Sequence, residues 1–337
     1  GNVLLADHGS SPAGTFDIIG QYVTTQTTGS LYVYERSGDD FGGNLLSTIH
    51  FPDDARHNCT LWDGTNQGNC TIGNTDFIET DGFGSNVKIS GPYIATSAYL
   101  SQKDGAISRG IVYIYKAGYQ GSSGTPVVSG FKNIQGTRDI FQRVTGSKPP
   151  FSNNANPDVK FAEPAYETFD LAGTTLVVST PSFDTYGADP TNGGNVRVYK
   201  ISDETGFFQE VQLISPPPGF QQGGSEFGSG LAISKDEKIL AIGQASDYVS
   251  DLVSIKHSGV IHIYNSQSSG FAYSQTLINP NPNTATEALT QHLKFGSHIE
   301  ISGSYLTSGF FKNQDSKEYL FRYSETDNSW GLESELV

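Results

Sequence analysis

A short pattern recurs along this chain and limits its fold more than any other feature. It reads Phe83-Gly-Ser-Asn-Val-Lys-Ile-Ser-Gly91, Phe227-Gly-Ser-Gly-Leu-Ala-Ile-Ser-Lys235 and Phe295-Gly-Ser-His-Ile-Glu-Ile-Ser-Gly303. Two weaker copies keep the frame over residues 12–20 and 165–173, ending Thr-Phe-Asp-Ile-Ile-Gly and Thr-Phe-Asp-Leu-Ala-Gly. In every copy apolar residues fall two apart, as in Val87/Ile89, Leu231/Ile233 and Ile299/Ile301. Alternation of that period marks a strand with one preferred face.

Each copy continues in the same way. A short turn leads to a second apolar strand: Tyr22-Val-Thr-Thr, Tyr93-Ile-Ala-Thr, Leu176-Val-Val-Ser, Ile239-Leu-Ala-Ile and Tyr305-Leu-Thr-Ser. A third strand runs from Gly to Tyr in Gly29–Tyr34, Gly110–Tyr115, Gly194–Tyr199 and Gly259–Tyr264. The fifth copy, Glu318-Tyr-Leu-Phe-Arg-Tyr323, keeps the terminal Tyr without the Gly. A fourth strand follows at 208–214, 273–278 and 330–337. Four antiparallel strands per copy, with turns at positions 20, 91, 173, 235 and 303, predict an all-β chain. The architecture expected is a β-propeller of four-stranded blades, five in number, or up to seven if further strands are hidden. The repeats cover roughly 12–50, 83–134, 165–215, 227–279 and 295–337 of a single domain spanning 12–337. Residues 1–11, with Val3-Leu-Leu-Ala6, make a lead-in or an extra strand.

Composition agrees with a turn-rich β protein: Gly 39, Phe 20 and Tyr 17. A net charge of −15 repels phosphate backbones, so nucleic acid is excluded as a partner. No apolar run approaches the ~20 residues that span a bilayer. Cys59 and Cys70, the two cysteines of the chain, each lie within an Asn-x-Thr sequon, at Asn58 and Asn69. The closeness of the pair reads as a local disulfide in an oxidising, extracellular or cell-surface setting. Free thiols, or a zinc site with His50 and His57, are the alternatives.

In a four-stranded meander, turns joining strands one to two and three to four share one side of the disc. There the sequence is tight: Ser90-Gly-Pro92, Ser234-Lys-Asp-Glu237 and Ser302-Gly-Ser304. The other side receives Tyr99–Arg109, Pro181–Gly193, Gln244–Ser258 and Phe310–Lys317, plus Pro52–Gly82, about 135–164, and Pro280–Lys294 between blades. Long connections on a rigid scaffold are where binding residues gather.

Motifs that announce an enzyme are absent: no GxSxG elbow, P-loop, HExxH, or GxGxxG before a helix. Adjacent acids such as Asp53/Asp54 suit the paired carboxylates of glycoside hydrolysis only if the fold converges them. His262 takes a strand position held elsewhere by Tyr32, Tyr113 and Arg197, which reads as structural.

The run Phe-Gly-Ser-x-Val/Ile/Leu-x-Ile-Ser-Gly, an apolar strand, a loop, then Gly-x-Val-Tyr-Ile-Tyr resembles the FG-GAP repeat of integrin α-chain heads. Phe83, Gly84, Phe227, Gly228, Phe295 and Gly296 carry that likeness. It implies a noncatalytic extracellular recognition or adhesion module, with a protein or glycan ligand on the long-connection side. The family's calcium loop, Asp-x-Asp-x-Asp-Gly between strands one and two, is missing here. The nearest substitutes lie elsewhere, at Asp39 and Asp40 and at Asp189, Asn192 and Asn195, so calcium is the one cofactor considered. Two other expectations stand beside adhesion. One is a carbohydrate-active enzyme, a lyase or glycosidase. The other is a structural block that assembles with copies of itself.

Overall fold

The computed structural model describes residues 3–5, 30–35, 45–50, 60–62, 67–69, 83–84, 86–98, 111–118, 140–145, 169–181, 194–220, 226–245, 258–282, 294–312 and 315–336. All regular structure among them is β, and every strand pair is antiparallel. No helix among the described residues is long and apolar enough to cross a membrane. The chain divides into two units, Gly1–Pro164 and Ala165–Val337.

The first unit holds β1 (Val3–Leu5), β2 (Ser30–Glu35) and β3 (Leu45–His50) in one sheet, then a hairpin of β4 (Thr60–Trp62) and β5 (Gln67–Asn69). A four-stranded sheet follows: β6 (Val87–Ser90), β7 (Tyr93–Ala98), β8 (Ile111–Lys116) and β9 (Ile140–Thr145). The second unit has three four-stranded sheets. They are β10 (Phe169–Ala172) to β13 (Phe208–Ile214), through β11 (Thr175–Thr180) and β12 (Asn195–Ile201); β14 (Phe227–Ile233) to β17 (Gly270–Ile278), through β15 (Ile239–Gln244) and β16 (Val260–Gln267); and β18 (Ile299–Ser302) to β21 (Ser329–Leu336), through β19 (Tyr305–Lys312) and β20 (Asp315–Ser324). Strand order follows chain order in each, as short connections between antiparallel neighbours favour.

Burial follows the sequence pattern. The second strands β7 and β11 are buried along their whole length, with apolar side chains on both faces. Fourth strands are sheet edges, and β13 is exposed between its ends. Leu31, Val33 and Ile49 of the first sheet pack with Phe83, Ile94, Tyr113 and Tyr115 of the next. In the second unit Val177, Val196, Val198 and Ile214 meet Leu240, Ile242 and Tyr264. Ala241, Ile261, Ile263 and Leu277 meet Phe295, Leu306, Tyr319 and Trp330.

Register corrects several expectations. Ile94, Leu176 and Leu240 of the second strands lie opposite Tyr115, Tyr199 and Tyr264. In the last sheet Leu306 lies opposite Phe321, so Phe321 takes the Tyr position and Tyr323 lies two residues beyond it. The third-to-fourth pairing confirms this, because each sheet has an irregularity just before that residue: Val33/Tyr34, Ile114/Tyr115, Val198/Tyr199, Ile263/Tyr264 and Leu320/Phe321. A slide of two residues leaves each side chain on its original face, so alternation cannot detect it.

Leu4 lies opposite Tyr34, so β1 fills the place expected of Tyr22-Val-Thr-Thr. That segment and the first copy's 12–20 lie outside the described residues. The fourth strand β9 lies past residue 134, so the connection 117–139 is long where a tight turn was expected. Phe310–Lys317, expected as a loop, continues the β19–β20 ladder with Phe310 opposite Lys317 and Lys312 opposite Asp315.

Candidate functional site

The Phe-Gly pair has a conformational cause. The Ser229 amide donates to the Glu226 carbonyl, and that of Ser297 to Lys294, each at 3.0 Å. Gly228 (φ 93°) and Gly296 (φ 88°) hold the third position of these turns, where a type II geometry needs positive φ. The turns are seated on the preceding sheet. Ser179 Oγ donates to the Gly228 carbonyl at 2.6 Å, and a Cβ on Gly194 or Gly259 would overlap the carbonyl oxygen of Phe227 or Phe295. In the first unit Phe83 packs edge-on to Tyr113, ring centroids 5.6 Å apart, beside Gly84 with φ 84°. The residues that define the repeat therefore hold one sheet against the next.

The two ends of the second unit's sheets differ. One end carries residues 173–174, 234–238, 303–304, 202–207, 268–269 and 325–328 between strands, all short. The other gives rise to 181–194, 215–226, 245–259 and 279–298, and only the β19–β20 hairpin is short there.

Hydrogen bonds hold the roots of the long connections. Thr180 Oγ1 donates to Asn195 Oδ1 at 2.9 Å, tying the end of β11 to the start of β12. Asn279, buried, donates to the Ser258 carbonyl at 3.2 Å. Pro217–Phe220 form a turn with Gly219 at φ 90°, and Phe220 stacks edge-on to His262 at 4.7 Å.

His262 is fully buried, and its partners fix its tautomer. Gln244 Nε2 donates to the Phe220 carbonyl at 3.0 Å, so Gln244 Oε1 faces His262 Nε2 at 2.9 Å, and that nitrogen carries the proton. Nδ1 then accepts from Thr276 Oγ1 at 2.8 Å, and the Tyr273 hydroxyl donates to Thr276 at 2.9 Å. Burial lowers the His262 pKa to about 3, so the ring is neutral. The chain links half-exposed Tyr273 to the roots of two long connections. It positions them, and the enclosed ring reaches no solvent-facing substrate. Sequence reading treated His262 as structural but missed Gln244, Thr276 and Phe220, which no spacing ties to it.

Of the other sequence candidates, Asn195 is engaged by Thr180, while Asp39, Asp40, Asp189, Asn192, Cys59, Cys70 and Asn58 lie outside the described residues. Asn69 ends β5. Among the described residues no three His, Cys, Asp or Glu side chains group as a metal centre requires. Burial, with Glu210 nearby, pushes the Tyr199 hydroxyl up to about 12, far from acid–base use at neutral pH.

No family model matches the chain, and no curated protein sequence matches it. Among solved structures it is similar to a provisionally named 6-phosphogluconolactonase from Bacteroides uniformis, at 11% identity and TM-score 0.49 over 92% of this chain and 65% of that one. A Bacteroides fragilis protein of the same provisional name matches at 12% identity and TM-score 0.47, over 93% and 65%. A functionally unknown protein from Desulfotomaculum acetoxidans matches at 10% identity and TM-score 0.35, over 91% and 76%. The chain thus spans 65% of the length of the two Bacteroides proteins. These neighbours correct the noncatalytic adhesion module expected above: two bear an enzyme's name and none that of an adhesion head. Likeness at this level assigns neither substrate nor reaction.

Proposed function

We propose that the chain is a β-propeller-type enzyme scaffold acting on a small polar substrate of the carbohydrate class, with its site at the long-connection end. The observation that carries this reading is the asymmetry of the second unit's sheets. Short turns close one end, while the other sends out 181–194, 215–226, 245–259 and 279–298 from hydrogen-bonded roots. A rigid platform that projects variable segments from one end is a common site of catalysis. Those segments contain Asp184, Asp189, Asp247, Asp251 and Glu287, the carboxylates needed for acid–base work on a sugar. Five copies of one four-stranded pattern support the propeller reading. The sequons at Asn58 and Asn69 and the cysteines Cys59 and Cys70 support an extracellular setting.

The test is a turnover screen of the purified chain on neutral glycosides, sugar lactones and polyuronates. Asp184→Asn, Asp189→Asn, Asp247→Asn, Asp251→Asn and Glu287→Gln are run beside the parent. Turnover lost on changing one or two of these carboxylates, with the melting temperature kept, is the expected result. No turnover by the parent on any class would overturn the reading.

A further inference from the structure

The connection 245–259 joins β15 to β16, and the ladder beneath it ends at the pair Gln244–Val260. Gln244, Ala245, Ser258 and Val260, which form its base, are at most 1% exposed. Each side of this base is tied to a different crossing between sheets.

On the Gln244 side the tie is to residues 215–226, which cross from β13 to β14. Gln244 Nε2 donates to the Phe220 carbonyl at 3.0 Å, and His262 holds the other end of that side-chain amide. The Ala245 amide donates to Ser229 Oγ at 3.0 Å, and Ser229 closes the turn that begins at Glu226. On the Ser258 side the tie is to residues 279–298, which cross from β17 to β18. The Ser258 carbonyl accepts the Asn279 side-chain amide at 3.2 Å and the Phe295 main-chain amide at 3.3 Å. Asn279 Oδ1 accepts the Asn281 amide at 2.9 Å, so the start of that crossing is fixed as well. Gly259 lies so close that a Cβ on it would stand 2.1 Å from the Phe295 carbonyl oxygen.

We infer that the base of the 245–259 connection couples the two crossings, so that a change at one alters the stability of the other across the width of the middle sheet. The physical reason is enclosure. A polar group in such a site finds no water to replace a lost partner, so an opening there must release several bonds together. Gln244 and Val260 face each other at the end of one ladder, and a shift of either strand end moves both sets of ties. The coupling is reciprocal: whatever orders the first crossing tightens the second, and the converse holds. Because the crossings are compared without a substrate, this coupling stands apart from the catalytic reading.

Amide hydrogen exchange of the full chain, read residue by residue by NMR, tests it. Asn279→Ala removes a tie on the Ser258 side, and Ser229→Ala one on the Gln244 side. The first should speed exchange at the distant Ala245 amide and the second at the distant Phe295 amide, each by about two- to tenfold, the factor that loss of one hydrogen bond gives. The Phe271 and Trp330 amides are the controls. They lie on the same two seams between sheets, held by Gln212 and Gln275 at 2.8 and 2.9 Å, but away from this base. Their exchange should stay as in the parent. Distant amides that exchange as in the parent would overturn the inference, and so would an equal rise at Phe271 and Trp330, which marks general loosening. Either variant decides the matter alone if the other does not fold.

Discussion

The ring of His262 lies between Phe220 at 4.7 Å and Phe227 at 5.7 Å, with both nitrogens engaged by Gln244 and Thr276. Its pKa falls from 6.5 to about 3 on folding, so below pH 6.5 the unfolded chain takes up a proton that the folded chain refuses. Stability is therefore full above about pH 6.5 and declines as the pH drops toward 3. At roughly 1.4 kcal/mol per pKa unit the loss reaches several kcal/mol. Urea unfolding at pH 7 and pH 4 should show this loss in the parent and a smaller one in His262→Leu, which starts about 1–3 kcal/mol lower because Gln244 Oε1 and the Thr276 hydroxyl each lose the imidazole as a partner. An equal pH dependence in the two proteins would remove His262 as its source. Glycines differ as sharply by position. A Cβ on Gly243 would overlap the Gly296 carbonyl oxygen, whereas one on Gly91 (φ 53°) meets nothing within 4 Å. Gly91→Ala should cost about 1–2 kcal/mol for its left-handed backbone, and Gly243→Ala more than about 3 kcal/mol by forcing two strands apart. Thermal melts of the two variants check the order.

Between neighbouring sheets, Gln212 Nε2 donates to the Phe271 carbonyl and Oε1 accepts the Phe271 amide, both at 2.8 Å. Gln275 clamps Trp330 in the same way at 2.8 and 2.9 Å, so the two seams give a direct additivity test. Gln212→Ala and Gln275→Ala should each destabilise by about 1–3 kcal/mol, since each exposes a backbone pair to loss of its partner. The double variant should show the sum within about 0.5 kcal/mol, the sites being separate. Denaturant titration of all three proteins would reveal any coupling. Strand existence and facing were readable from the chain because alternation at Val87/Ile89 or Leu231/Ile233 reports burial directly. Register was not. Phe321 and Tyr323 are both aromatic and share a face, so only the Leu306 pairing separates them. Phe310 and Phe311 belong to a ladder that extends past the length of the other copies, and the spacing of turns alone assigned them to a loop. At the candidate site, the end that carries the long connections followed from segment lengths. The chain from Tyr273 to Phe220 did not, because His262 meets Gln244 and Thr276 only through the lateral spacing of three strands.

Across each unit, protection from solvent should follow strand position more than sequence position. The second strands β11 and β15 lie inside their sheets and are almost wholly buried, while β13 and β21 are edges with Leu213 at 51% and Leu332 at 52% exposure. Amide hydrogen exchange should be slowest in β11 and β15 and fastest in β13 and β21, apart from Phe271 and Trp330, whose amides the glutamine clamps hold. Uniform protection across all four strands of a sheet would contradict that order. Strand order that matches chain order also bears on how the protein is made. A sheet such as β10–β13 contains all its own ladder partners once Ile214 has been synthesised, so hairpins can zip over short separations as the chain emerges. Its apolar flank, Val196, Val198 and Ile214, must then wait for β14–β17, which ends at Ile278. At about 5–20 residues per second that interval lasts some seconds, a window in which a nascent chain is vulnerable to sticking and to chaperone capture. The same wait recurs at β14–β17, whose flank of Ile261, Ile263 and Leu277 is covered by β18–β21.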